Sequence, residues 1–145
     1  MHDIEFEGCF KKVNYADLRP RQKENYNFQK VAARLADYGF NCLRLSDDWQ
    51  GADFIACHID NKTFLKVQLK GRLVVDKKYC QKEIFIAFCN GDDYYVYPHD
   101  EFLKGWLNKR QLGKRGSTKG WKEKGAYSWK NPPKWALNML STCKI

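Results

Sequence analysis

Residues 51–59 read Gly51-Ala52-Asp53-Phe54-Ile55-Ala56-Cys57-His58-Ile59. After Asp60-Asn61-Lys62 the chain continues Thr63-Phe64-Leu65-Lys66-Val67-Gln68-Leu69-Lys70. The second run alternates with the two-residue period of a strand: Leu65, Val67 and Leu69 point towards a core, and Phe64, Lys66, Gln68 and Lys70 point away from it. Two such runs separated by polar turn residues read as a hairpin. The hairpin can bring Asp53, at the start of one strand, close to Gln68 and Lys70 at the end of the next. An acid, an amide oxygen and a lysine then meet at one spot on a sheet edge.

Upstream, Pro20 marks a helix start, and Phe28, Val31, Leu35 and Tyr38 recur at helical spacing before Gly39. A helix is predicted over 21–38, then a short strand over 40–45 and a polar connection over 46–51. Downstream, Glu83–Phe88 and Asp93–Tyr97 read as two strands joined by Asn90-Gly91-Asp92, with Pro98 ending the second. His99–Leu107 reads as a helix and 108–131 as a long basic loop. Pro132 and Pro133 suit the first turn of a last helix, on which Trp135 and Met139 share a face, as do Ala136 and Leu140. Residues 1–16 suit an edge strand or an arm. The pattern is α/β: one domain over 1–145, ordered as helix, three strands, two strands and helix, with 104–145 as a basic, aromatic-rich extension packed on it.

A chain of 145 residues, 43% apolar and 15% aromatic, is long enough to bury a proper core. No apolar stretch approaches the roughly 18–20 residues that span a bilayer. The N-terminal run Met1–Glu7 is acidic, without the basic-then-apolar order of a signal peptide. A soluble, cytoplasmic protein is expected. The six cysteines are scattered at spacings that suit neither a zinc site nor a disulfide framework, so they read as structural thiols.

Net charge is +9, unevenly spread. Residues 104–145 hold eleven Lys or Arg and one acid, Glu123, a net +10, while the rest of the chain is at −1. A neutral body with a basic C-terminal third suggests a polyanion-binding surface. The segment also carries Trp106, Trp121, Tyr127, Trp129 and Trp135, which a merely solubilising tail does not need.

The Asp53–Gln68–Lys70 grouping suits a hard divalent cation, since Mg²⁺ takes oxygen ligands and keeps several waters. Asp53 would be the charged ligand, with the Gln68 side-chain oxygen and the Leu69 carbonyl completing the protein's share. Lys70 would polarise the attacking water or offset charge building on a phosphate.

Gly51–Ala56 followed by Lys66-Val67-Gln68-Leu69-Lys70 resembles the PD-(D/E)XK nuclease signature in its D…QxK variant, found in Mrr-type restriction enzymes and in intron-encoded homing nucleases. The helix before the first strand and the Tyr97-Pro98 dipeptide ending a later strand agree, and the resemblance covers about residues 21–103. It implies a restriction endonuclease-like fold, with a mixed central sheet of about five strands flanked by helices. It also implies Mg²⁺-dependent phosphodiester hydrolysis, with Mn²⁺ as a substitute. Ala52 stands where the signature has Pro. Gln68 replaces the usual acid and removes one negative charge; members with Gln often compensate with an acid on the first helix. Glu24 is that candidate, because 24, 28, 31 and 35 lie on one helical face.

Asp47 and Asp48 lie in the expected connection close to Asp53 and could bind metal, although turn acids are usually just solvated. His58, His99 and the pair Asp92-Asp93 have no partner at useful spacing, and no Gly-rich phosphate loop or nucleophilic Ser or Cys arrangement is present. The leading reading is a DNA endonuclease acting on duplex or branched substrates. Cutting both strands would require a homo-oligomer. Lys66, Arg72, Lys114, Arg115, Lys119, Trp121 and Lys122 are the candidate nucleic-acid contacts. The alternatives are a catalytically inactive nucleic-acid-binding module on the same fold, and a protein-interaction domain with a basic face.

Overall fold

A computed structural model describes residues 8–111 and 119–145. Pro20 opens the first helix, α1 (Pro20–Ala36), where its missing N–H costs nothing, and the Gln22 side chain accepts from the Arg19 N–H at 2.8 Å. Gly39, at φ +86°, turns the chain into β1 (Phe40–Trp49). The turn residues Gln50 and Gly51 both have positive φ, as a two-residue hairpin turn demands, and lead into β2 (Ala52–His58). A second hairpin leads to β3 (Phe64–Leu69). At its tip Asp60 accepts from the Lys62 and Thr63 N–H groups and from the Thr63 hydroxyl, which holds its carboxyl well below the usual range.

The chain then crosses over through β4 (Leu73–Asp76) and a 3₁₀ turn, Lys77–Tyr79, to β5 (Ile84–Asn90), which runs parallel to β3. The strand β6 (Asp93–Pro98) returns antiparallel, and α2 (His99–Gln111) follows. The five-stranded sheet is ordered β1-β2-β3-β5-β6, antiparallel throughout except for β3 with β5. This mixed sheet with flanking helices is the α/β architecture expected from the pattern.

One sheet face is covered by α1. Val31 and Leu35 are buried there against Phe54, Ala56, Val67 and Ala87, with Phe28 edge-on to Phe54. The other face packs on α2 and on the C-terminal elements α3 (Lys119–Lys124), β7 (Ala126–Trp129) and α4 (Lys134–Met139). Here Ile84, Ile86, Phe88, Tyr95 and Tyr97 meet Phe102, Trp106, Ala136 and Leu140. Strand β5 is covered on both faces, which is why it reads as an unbroken apolar run rather than an alternation. Among the described residues no helix is long and apolar enough to cross a membrane.

Three expectations need correction. Strand β1 does not stop at Leu45 but continues to Trp49, with a register irregularity after Arg44. Strand β4 was hidden in a basic stretch. The expected loop 108–131 contains α3 and β7, and β7 pairs with β4 as a second, two-stranded sheet. Short strands of four residues have too few positions for alternation to stand out, and these two are held by packing on the main core. The aromatics of 104–145 belong to that core: Trp106 is buried and Trp121, Trp129 and Trp135 pack partly buried against it.

Candidate active site

The site grows from the first hairpin. Trp49 pairs with Ala52, and beyond that pair, where the β1–β2 register is irregular, Asp48 comes within hydrogen-bond reach of Asp53. On its other side β2 pairs with β3 as far as Phe54 with Val67. Beyond that pair the Asp53 side chain replaces backbone pairing, and its Oδ2 accepts from the Leu69 N–H at 2.8 Å. Asp53 is thereby bound to the residue between Gln68 and Lys70.

Asp53 is half-buried, and burial, more than any other cause, pushes its carboxyl up to about 6. The Leu69 N–H works against that rise, while Asp48, close enough for a shared-proton hydrogen bond, and Glu24 add to it. All three acids line a cleft of about 620 Å³, together with Arg21, Asn25 and Arg44 among others. Glu24 enters it from α1, at the end of the stripe made by Phe28, Val31 and Leu35. Arg44 of β1 meets it at 2.8 Å, donates to Asn25, and lies over the Phe28 ring at 5.2 Å.

Gln68 turns its amide nitrogen to the Leu69 carbonyl at 3.5 Å. The Lys70 ammonium lies 5.6 Å from the ring centre of Tyr79, a buried residue whose hydroxyl is pushed up by burial first, with Asp53 among the charges adding to the rise. The geometry thus brings Asp53 onto the Gln68–Leu69–Lys70 segment and Glu24 into its cleft, with Lys70 set on the neighbouring tyrosine.

Asp48, ranked from the sequence below the other candidates as a turn acid, is the neighbour whose contact with Asp53 the structure brings out. The available signal was the Gln50-Gly51 turn, which brings the end of β1 and the start of β2 together, but the register irregularity between Arg44 and Trp49 is not visible in the sequence.

The donor set fits a hard cation. Asp53, Asp48 and Glu24 line the same cleft, and carboxylate oxygens are the donors that Mg²⁺ or Mn²⁺ takes. Among the described residues the His, Cys, Asp and Glu ligand atoms that lie within 4.8 Å of one another in a group of three belong instead to Cys80, His99 and Asp100. There, however, His99 Nε2 accepts from the Asp76 N–H at 2.9 Å and Nδ1 pairs with Asp100 at 2.9 Å. Asp100 also accepts from the Gln81 N–H. With both ring nitrogens committed, this group is a hydrogen-bonded joint between the crossover and α2. His99 therefore has partners that sequence spacing did not reveal. So does His58, whose Nε2 lies 3.1 Å from the Tyr38 carbonyl and whose Nδ1 meets Asp60 at 3.3 Å.

No protein-family model matches the chain, and no curated protein matches it. Among solved structures it is similar to a bacterial homing endonuclease, with 22% identity over 59% of this chain and 69% of that one, at a TM-score of 0.44. It is also similar to Hjc, a Holliday junction resolvase from the archaeal hyperthermophile Archaeoglobus fulgidus, with 16% identity over 54% of this chain and 74% of that one, at a TM-score of 0.44.

Of the candidate nucleic-acid contacts, Lys66 donates to Gln50 Oε1 at 3.1 Å, and Arg72 and Lys122 are exposed. Trp121 is partly buried against the core. Lys119 opens α3, and Lys114 and Arg115 lie outside the described residues.

Proposed function

We propose that this chain is a divalent-metal-dependent nuclease that hydrolyses phosphodiester bonds in DNA. One observation carries the reading: a half-buried carboxylate, Asp53, is fixed by the Leu69 N–H of a Gln-x-Lys strand end while Asp48 and Glu24 crowd it in an open cleft. Strongly shifted carboxylates in clefts cluster at functional sites, and oxygen donors of this kind suit a hard divalent cation.

Asp53 would hold the cation, with Asp48 and Glu24 as further oxygen donors and with Gln68 and the Leu69 carbonyl at the strand end. Mg²⁺ bound there, or Mn²⁺ in its place, would supply a Lewis acid for a phosphate oxygen and a more acidic water. The Leu69 N–H aims the Asp53 carboxylate. Lys70 supplies positive charge where the phosphate becomes more negative, and Tyr79 beneath it limits where that ammonium can sit. Arg21 and Arg44, on the rim, neutralise part of the incoming strand's charge. One site cuts one strand, so cleavage of a duplex or a branched substrate would call for two copies.

The test uses plasmid, four-way junction and single-stranded substrates with Mg²⁺ and with Mn²⁺. Cleavage by the wild type is expected, with Asp53→Ala and Lys70→Ala each slowing it by about a hundredfold or more while binding persists. A wild-type protein that leaves all three substrates intact with both metals, yet binds them, supports the second reading, an inactive binding module. Gln68, whose amide nitrogen faces the Leu69 carbonyl, is the feature that favours it.

A further inference from the structure

The chain has five tryptophans. Trp106, Trp121, Trp129 and Trp135 pack in or against the core on the α2 side of the sheet. Trp49 does not: it stands 54% exposed at the end of β1. A large apolar ring in that position lacks the burial that normally holds tryptophan in a fold.

Its setting is rigid and polar. Trp49 pairs with Ala52 across a turn whose two residues, Gln50 and Gly51, both have positive φ, so the hairpin fixes the ring's base. The Gly51 position backs onto Tyr79, which anchors the turn to the core. Lys66 Nζ lies 6.0 Å from the Trp49 ring centre and donates to Gln50 Oε1. Asp48 of the acidic cleft is the preceding residue and Asp53 the fourth one on. A second ring, Phe64, is 60% exposed two residues before Lys66, on the same side of β3.

A half-exposed aromatic ring with a mobile lysine ammonium over it is complementary to a nucleobase and its phosphate, since the long lysine side chain can leave the ring for the phosphate. A base inside a duplex offers no face to such a ring; an unpaired one does. We propose that Trp49 is a stacking platform for an unpaired nucleobase next to the cleavage site, with Lys66 on the adjoining phosphate. The site therefore takes strands that are single or opened at a branch in preference to uninterrupted duplex. This rests on the nuclease reading only for the direction in which the strand continues, towards Asp53.

The experiment is done in EDTA, so that cleavage plays no part. Full-length protein is titrated into a single-stranded oligonucleotide carrying 2-aminopurine, and into the same strand in duplex. Wild type and Trp49→Phe should quench the 2-aminopurine emission of the single strand. Trp49→Leu, which keeps the apolar contacts but has no π face, and Trp49→Ala should bind it roughly five- to a hundredfold more weakly, without the quench. Because no metal is available in EDTA, the quench is read in the same way whether or not the wild type cleaves DNA, so this outcome is separable from the nuclease test. Equal quenching and affinity for wild type and Trp49→Leu, with melting temperatures unchanged, would overturn the proposal. So would quenching of the duplex as strong as that of the single strand.

Discussion

Asp53 and Leu69 are joined by a side-chain-to-backbone hydrogen bond of 2.8 Å at the point where strands β2 and β3 part. A carboxylate here does the work of a carbonyl in the ladder, and in doing so it is pulled half out of water beside two other acids. The consequence is a charged group whose proton affinity, metal affinity and contribution to folding are linked.

The pH dependence of the metal-free protein follows. The Asp53 carboxyl moves from its ordinary 3.8 up to about 6, chiefly through burial. Between those values the folded chain holds a proton that the unfolded chain has released, so this group's share of stability is present at low pH and is lost as pH rises through about 6. Asp53→Asn keeps an acceptor for the Leu69 N–H and removes the charge. Thermal melts from pH 4 to 8 in EDTA should show a flatter decline for the variant than for wild type. Parallel curves would mean that Asp53 does not carry the effect.

Metal binding runs the opposite way. The ligand must be deprotonated, so Mn²⁺ affinity should fall about tenfold between pH 7 and pH 5, with protons released on binding. Calorimetric titration in buffers of different ionisation enthalpy measures both. Asp53→Ala should abolish the heat. Heat that persists in that variant would place the ion elsewhere.

Arg44 holds Glu24 at 2.8 Å at the wall of the cleft. The pair is substantially exposed, so breaking it should cost no more than about 1 kcal/mol of stability. Arg44→Gln releases Glu24 for a cation and should tighten Mn²⁺ severalfold while weakening affinity for DNA. Fluorescence anisotropy at several salt concentrations should show a smaller salt dependence for the variant. Unchanged metal affinity would indicate that Glu24 lies outside the ligand set.

Tyr97 ties the small sheet to the large one. Its hydroxyl donates to the Val74 carbonyl at 2.6 Å and accepts from the Val74 N–H at 3.2 Å, in full burial. Tyr97→Phe leaves both backbone groups without that partner, and a loss of about 1–3 kcal/mol is expected in chemical denaturation. A smaller loss would mean that the β4–β7 sheet adjusts to pair those groups elsewhere.

The local elements were legible because each carries its own periodicity. Phe28, Val31 and Leu35 announce α1, the alternation at 64–70 announces β3, and Asp60-Asn61 announces the turn between β2 and β3. The approach of Asp53 to the Gln68–Lys70 segment could be read for the same reason: a hairpin converts sequence spacing into spatial distance. Glu24 could be read only as an acid on the right helical face. Its approach to Asp53 depends on how α1 lies across the sheet.

Sequence alone therefore determined the strand-turn-strand unit, the helix before it and the identity of Asp53, Gln68 and Lys70 as candidate chemistry, because these follow from repeats of two and 3.6 residues over short spans. Tertiary structure decided the rest. It added Asp48 to the acidic group and paired Glu24 with Arg44. It also drew β4 and β7 together from opposite sides of α2, buried the C-terminal tryptophans, and left Trp49 in water. Those outcomes depend on contacts between residues far apart in the chain, where packing and the removal of apolar surface from water override local preference.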